Sequence, residues 1–137
     1  MTAADVVIAY AKAYAQGDPE SLAVLFADDY TDANPMVGDG PRGVVEHARM
    51  LHQAIADLQV DISHLLADDS TVMARIVWSG THQGSFMGVE GSGRAVSMTT
   101  MDLFGVQDGK IVTHDGIADV PGLLQQLRGA DTNTGVT

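Results

Sequence analysis

Gly109-Lys110-Ile111-Val112-Thr113-His114-Asp115-Gly116-Ile117-Ala118-Asp119 is the stretch on which the fold turns. Gln107-Asp108-Gly109 is a turn signal that launches it, and Lys110 to Ala118 is extended by its β-branched content. Val120-Pro121-Gly122-Leu123-Leu124-Gln125-Gln126-Leu127 then reads as a short terminal helix over about 121–127. Period two places Ile111, Thr113, Asp115, Ile117 and Asp119 on one face of the strand and His114 on the other. Asp119, at a strand end beside Ile117, Ala118 and Val120, is expected to be partly desolvated, which suits a general base. The same residue also suits the N-cap of the terminal helix.

Working outward, Gln59 to Leu66, Thr71 to His82 and Ala95 to Val106 read as three further strands. Ala67-Asp68-Asp69-Ser70 makes one turn, and residues 83–94, with Gly84, Gly88, Gly91 and Gly93, make a flexible hairpin connection. The four strands form an antiparallel meander. Nearer the N-terminus, Thr2 and Asp5 resemble a capping box ahead of Val6, Val7, Tyr10, Ala11 and Tyr14, a helix over about 3–16. Asp18-Pro19 opens a short second helix, and residues 27–35 form a brief extended segment with Tyr30, Asp32 and Asn34 on one face. Gly38, Gly40, Pro41 and Gly43 form a loop, and Val44, Ala48, Leu51 and Ile55 stripe a third helix to about residue 56. Helices segregated from an antiparallel sheet define an α+β fold, with one domain over 1–128 and a polar, flexible tail over 129–137.

Composition narrows the function. The formal charge of -11 repels phosphates and anionic membrane surfaces, so neither nucleic acid nor membrane is an expected partner. The absence of cysteine excludes disulfides and thiolate chemistry and agrees with a cytoplasmic location. His47 and His52 are five apart on one helix, not the i, i+4 of a metal pair, so no metal site is expected.

Several motifs come in a telling order: Phe26-Ala27-Asp28-Asp29-Tyr30 leading to Asn34-Pro35, then Gly80-Thr81-His82-Gln83-Gly84-Ser85-Phe86-Met87-Gly88. Gly93-Arg94, Asp108-Gly109-Lys110-Ile111, and Asp119 before Gly122-Leu123-Leu124-Gln125-Gln126-Leu127 follow. Together they resemble the SnoaL-like polyketide cyclase family of the nuclear transport factor 2-like superfamily. The resemblance implies a cone-shaped, curved antiparallel sheet that, with about three N-terminal helices and a short C-terminal one, encloses an apolar cavity. It further implies intramolecular aldol closure of an apolar, carbonyl-bearing substrate without metal or cofactor, Asp119 as the acid/base, and a homo-oligomer formed through the sheet's outer face.

His82 belongs to the resembling motif and is a candidate proton shuttle. Asp115 stands where the family usually has an aromatic residue; period two places it with Asp119 on the cavity side, about 13 Å away along an ideal strand. Asp32, Asn34, Arg75 and Asp115 are candidate polar contacts to substrate, and Trp78, Phe86 and Met101 candidate apolar wall. Arg75, Asn34 and Asp119 are also similar to the Arg, the Asn and one Asp of limonene epoxide hydrolase, although Val77 and Asp32 replace that enzyme's second Asp and its Tyr. Leu103 and Gly105 fall where some cyclases carry polar side chains, and Asp102, of opposite parity, is expected to point outward. An epoxide hydrolase or isomerase in the same cavity, or a non-catalytic small-molecule binder, are the alternatives.

Overall fold

Thr2 caps α1 (Ala3–Ala15) through a reciprocal pair of hydrogen bonds with Asp5, the capping box expected of these residues. The computed structural model describes residues 1–129; the tail expected over 129–137 lies outside the described residues from 130 on. Asp18 accepts from the Glu20 amide at the start of the four-residue α2 (Glu20–Ala23), and β1 (Phe26–Asp32) follows at once.

The glycines and proline of residues 38–43 do not make a loop throughout. α3 spans Gly40–Ala54, with Pro41 in its first turn, where a missing amide hydrogen costs nothing. Exposed ion pairs from Glu20 to Arg42 and Arg49 tie α2 to α3.

β2 (Ile55–Ala67), β3 (Thr71–His82), β4 (Ala95–Gln107) and β5 (Lys110–Ala118) form the expected meander, and α4 (Val120–Leu127) closes the chain. β1 adds parallel to β5, giving one curved, unclosed sheet in the order β1-β5-β4-β3-β2. The architecture is the α+β arrangement expected, with the helices on the sheet's concave side.

Alternation in β3 and β4 decides what that side contains. Val72, Ala74 and Ile76 of β3, with Phe104 and Val106 of β4, pack against Val6, Val7, Tyr10 and Tyr14 of α1 in the main core. Each fully buried Val, Ile or Phe among them contributes about 1.5–3 kcal/mol. A smaller cluster of Ile55, Leu58, Val96, Leu123 and Leu127 lies beneath α4. Met73, Met101 and Leu103 have the other parity and are exposed on the convex face.

β5 does not alternate throughout. Val106 pairs with Ile111 and Gly105 with Thr113, so Val112 is an extra residue, a β-bulge. Ile111 is buried, but beyond the bulge the inward residues are His114, Gly116 and Ala118, while Thr113, Asp115 and Ile117 are exposed. The single face expected from Ile111 to Asp119 is thereby corrected.

Among the described residues, no helix is long and apolar enough to cross a membrane.

Candidate active site

A cavity of about 150 Å³ opens between the sheet and the helices α1 and α3. Its apolar wall comes from Tyr10 and Tyr14 of α1, Val44 and Leu51 of α3, and Trp78 and Met98 of the sheet. Tyr10 holds this wall together: its ring lies edge-on to Tyr14 at 5.1 Å and to Phe104 at 5.0 Å between centroids.

The polar pole gathers at the β1, β5 and β4 side. Parallel pairing of β1 with β5 brings Asp32 opposite His114, and antiparallel pairing sets Phe104 opposite His114 and Asp102 opposite Gly116. His114 consequently lies between two carboxylates. Its Nδ1 is 3.0 Å from Asp32 Oδ2 and its Nε2 is 2.7 Å from Asp102 Oδ1. With both ring nitrogens engaged by carboxylates, both must carry protons, and the ring is an imidazolium. Phe104 packs against it, its ring tilted by 30° and 4.8 Å away between centroids.

Each carboxylate is held in turn. The Tyr30 hydroxyl donates to Asp32 Oδ2, and the Asn34 amide donates to Asp32 Oδ1 at 2.8 Å. The Thr100 hydroxyl donates to Asp102 Oδ2, and Trp78 Nε1 donates to Thr100 Oγ1 at 3.0 Å. Gly116 is required beside this cluster: a Cβ there would stand 2.6 Å from Asp102 Oδ1.

Electrostatics follow the geometry. Burial would lower the pKa of His114, but hydrogen bonds to Asp102 and Asp32, with their charge, outweigh it and raise the value to about 9. Burial acts on Asp32 in the opposite sense, yet bonds from His114, Tyr30 and the Asn34 amide hold it below the ordinary carboxylate value. Tyr10 and Tyr14 are pushed up, first by burial and then by neighbouring groups, and Tyr30 by burial and then by its bond to Asp32, so all three hydroxyls stay protonated.

His47 is the second imidazole of the cavity. α3 presents it to the space that Asp32 and His114 face, and its Nδ1 is 2.7 Å from the Tyr14 hydroxyl. Nε2 has no hydrogen-bond partner among the described residues. Burial lowers its pKa and outweighs the nearby Asp32 charge, so the ring is neutral at neutral pH. Environment therefore drives the two histidines of one cavity to opposite protonation states.

Asp32, Asn34, Trp78 and Phe86 all line this cavity. The expected position of Asp119 is corrected: it is exposed, and its carboxylate accepts from the Gly122 amide at 3.1 Å as the N-cap of α4. Asp115 is exposed on the convex face in register with Leu103, because the bulge at Val112 reverses its parity. Arg75 also departs from the cavity, donating to Ser63 Oγ at 2.9 Å on the outer face, so no Asp-Arg-Asp group forms around it. Met101, opposite Arg75 and Ile117, is 48% exposed on that same face.

His82 is fully buried away from the cavity lining. Its Nδ1 meets Ser92 Oγ at 3.0 Å and its Nε2 meets the Val89 carbonyl at 3.2 Å, which fastens the loop of residues 83–94. His114, Asp102, Tyr30, Thr100 and His47 were not expected at the site. For Asp102 a signal exists: Val96, Met98, Phe104 and Val106 share its parity.

No group of acidic residues and histidines suited to a metal ion occurs among the described residues. The nitrogens of His114 are occupied by carboxylates, so the residues present do not form a metal cage.

No curated protein sequence matches the chain. Solved structures do. TsrD from Streptomyces laurentii is similar at 30% identity and a TM-score of 0.85, over 93% of this chain and 95% of that one. IdmH from Streptomyces antibioticus, a candidate polyketide cyclase, is similar at 28% identity and a TM-score of 0.79, over 91% and 97%. AclR from Streptomyces galilaeus, a candidate hydroxylase, is similar at 25% identity and a TM-score of 0.81, over 92% and 80%. The profile of one family matches residues 4–127, which run from the first turn of α1 to the last residue of α4 and take in every side chain of the cavity. With that span matched, this chain belongs to the SnoaL-like polyketide cyclase family.

Proposed function

We propose that the protein closes a ring in a small, largely apolar polycarbonyl substrate by intramolecular aldol addition, using only its own side chains as acid and base. The observation that carries this reading is His114, clamped between Asp32 and Asp102 in an aromatic-walled cavity that also receives the free Nε2 of His47. Pairs of titratable groups driven to opposite states by their surroundings divide the roles of base and acid.

His47 is the base. In the tautomer whose Nδ1–H donates to the Tyr14 hydroxyl, Nε2 carries a lone pair into the cavity and removes a proton from a carbon flanked by two carbonyls. A neutral imidazole suits this step better than Asp32, whose carboxylate is stabilised as the anion and is the weaker base. The enolate carbon attacks a second carbonyl carbon of the same molecule, a C–C bond forms, and the carbonyl π pair becomes an alkoxide. The His114 imidazolium, which lines the cavity together with Asp32, supplies the proton for that oxygen by way of the Asp32 carboxylate bonded to its Nδ1. No atom is lost, and proton return from His47 to His114 through solvent resets the site. Asp32 thus relays the proton between His114 and the substrate oxygen, and Asp119 has no part in the step.

Nonane-2,4,8-trione is a minimal probe: its C3 is flanked by carbonyls, and attack on C8 closes a six-membered ring at constant mass. The expected result is closure above the buffer rate, reduced about 10²–10⁴-fold in His47→Gln and in Asp32→Asn and unchanged in Asp119→Asn. Product formation followed by NMR checks it. Equal rates in wild type, His47→Gln and Asp32→Asn would overturn the reading, as would loss of closure in Asp119→Asn alone.

A further inference from the structure

Beside the polar cavity lies a second, smaller one of about 40 Å³, separated from it by side chains alone. Leu51, Trp78, Phe86 and Met98 line both. The far end of the smaller cavity is built by Ile55, Leu58, Val96 and Leu123, the cluster beneath α4, and its lining contains no charged residue.

This annex has a local cause in the fold. The loop of residues 83–94 is fastened by His82, whose carbonyl also accepts from the Ser92 and Gly93 amides, while the Gln83 and Gly84 amides donate to the Ala54 carbonyl. The loop carries Phe86, bridged to Val89, against the partition. Leu123 comes from the first turns of α4, whose start is set by the Asp119 cap.

We propose that the annex is a subsite for a short, unbranched apolar arm of the substrate whose carbonyls occupy the polar cavity. The proposal rests on the cyclase reading and names its substrate more closely. Size fixes the arm. At roughly 10–15 Å³ of cavity per water-sized group, the polar cavity takes roughly ten to fifteen heavy atoms and the annex three or four. Chemistry fixes its nature: although Ser79 and Ser97 border the annex, the surface it presents is almost wholly apolar, so methylenes gain contact there and leave no polar group unsatisfied. The ligand is therefore bipolar, with a polycarbonyl body against Asp32 and His47 and an alkyl end of three or four carbons under α4.

Trp78 is the sole tryptophan and lines both cavities, so its fluorescence reports occupancy of either. The test is a series in which nonane-2,4,8-trione is lengthened by one methylene at a time at its C9 end, with affinity read from Trp78 fluorescence and ring closure from NMR in the same samples. Affinity should tighten about fourfold per methylene for the first three or four and then stop rising. Leu123→Phe and Leu58→Phe, two independent fillings, should each abolish that gain, so that the lengthened triones bind no more tightly than the parent trione to the same variant. Leu123→Ala should move the optimum to longer chains. Affinity indifferent to chain length in the wild type, or a gain retained in both filled variants, overturns the annex. A chain-length optimum without any ring closure upholds the annex and removes the cyclase reading; closure without a chain-length optimum does the reverse.

Discussion

His114 shows how one residue can carry both stability and chemistry. Its pKa rises from 6.5 to about 9 on folding, because the bonds to Asp102 and Asp32 outweigh burial. A group held up in this way stabilises the fold fully below its unfolded value and loses that contribution as pH rises through its folded one. Thermal stability should therefore fall between about pH 6.5 and 9, by on the order of 3 kcal/mol, with no comparable loss in His114→Gln. Asp32 works in the other direction: its contribution is present above the ordinary carboxylate value and disappears as pH falls below it. Melting curves of wild type and His114→Gln across that range check the sign; a wild type that gains stability toward pH 9 would contradict the imidazolium. Gly116 supplies an independent check, since a methyl group there collides with the Asp102 carboxylate at 2.6 Å. Gly116→Ala should displace Asp102 from His114 Nε2, which imidazole NMR would register as a lower pKa for that ring.

Secondary-structure elements explain where a reading of residues succeeds and where it stops. The capping box of Thr2 and Asp5, the turn at Asp108-Gly109 and the alternation of β3 are local signals, and each element formed where its signal lay. The face joining Tyr30, Asp32 and Asn34 was legible for the same reason, because three residues of extended chain need no distant partner to fix their parity. β5 differs. Its bulge at Val112 exists only in the pairing with β4, so nothing in Ile111-Val112-Thr113-His114 announces it, and one extra residue moved His114 inside and Asp115 outside. β4 was legible but needed a different anchor: counting from Phe104 and Val106 places Asp102 inward, whereas counting from Leu103 does not. Asp119 was read both as a base and as a helix cap, and the structure gives it the cap. Asp119→Ala should then cost about 0.5–2 kcal/mol of stability, and Asp119→Asn, which keeps the accepting oxygen, almost nothing. Denaturant midpoints of the two variants separate the roles.

At the scale of the whole molecule, the curvature that makes a cavity on one side of the sheet leaves an unfilled apolar face on the other. Leu66 is in register with Met73, Met73 with Leu103, and Met101 with Ile117, so these exposed side chains form adjacent rows across four strands. Ile117 and Leu66 are each 76% exposed, and with their neighbours they make a contiguous apolar patch, a costly arrangement for a free monomer. Arg75 borders this patch beside Met101, and Asp115 borders it beside Leu103. Homodimerisation through the convex face is the expected outcome, and the net charge of -11 gives it an unusual signature. Two such chains repel, while the contact that joins them is apolar. Salt screens the repulsion and leaves the apolar gain intact, since the Debye length shrinks from about 20 Å to about 4 Å between about 20 and 500 mM. Dimerisation should therefore tighten with ionic strength, the reverse of an interface held by ion pairs. Ile117→Lys, placing a charge at the β5 end of the rows, should abolish it without touching the cavity on the other side of the sheet. Sedimentation velocity at the two salt concentrations decides the matter: a wild type that is monomeric in both, or a dimer that dissociates in the higher, would rule out an apolar contact on this face.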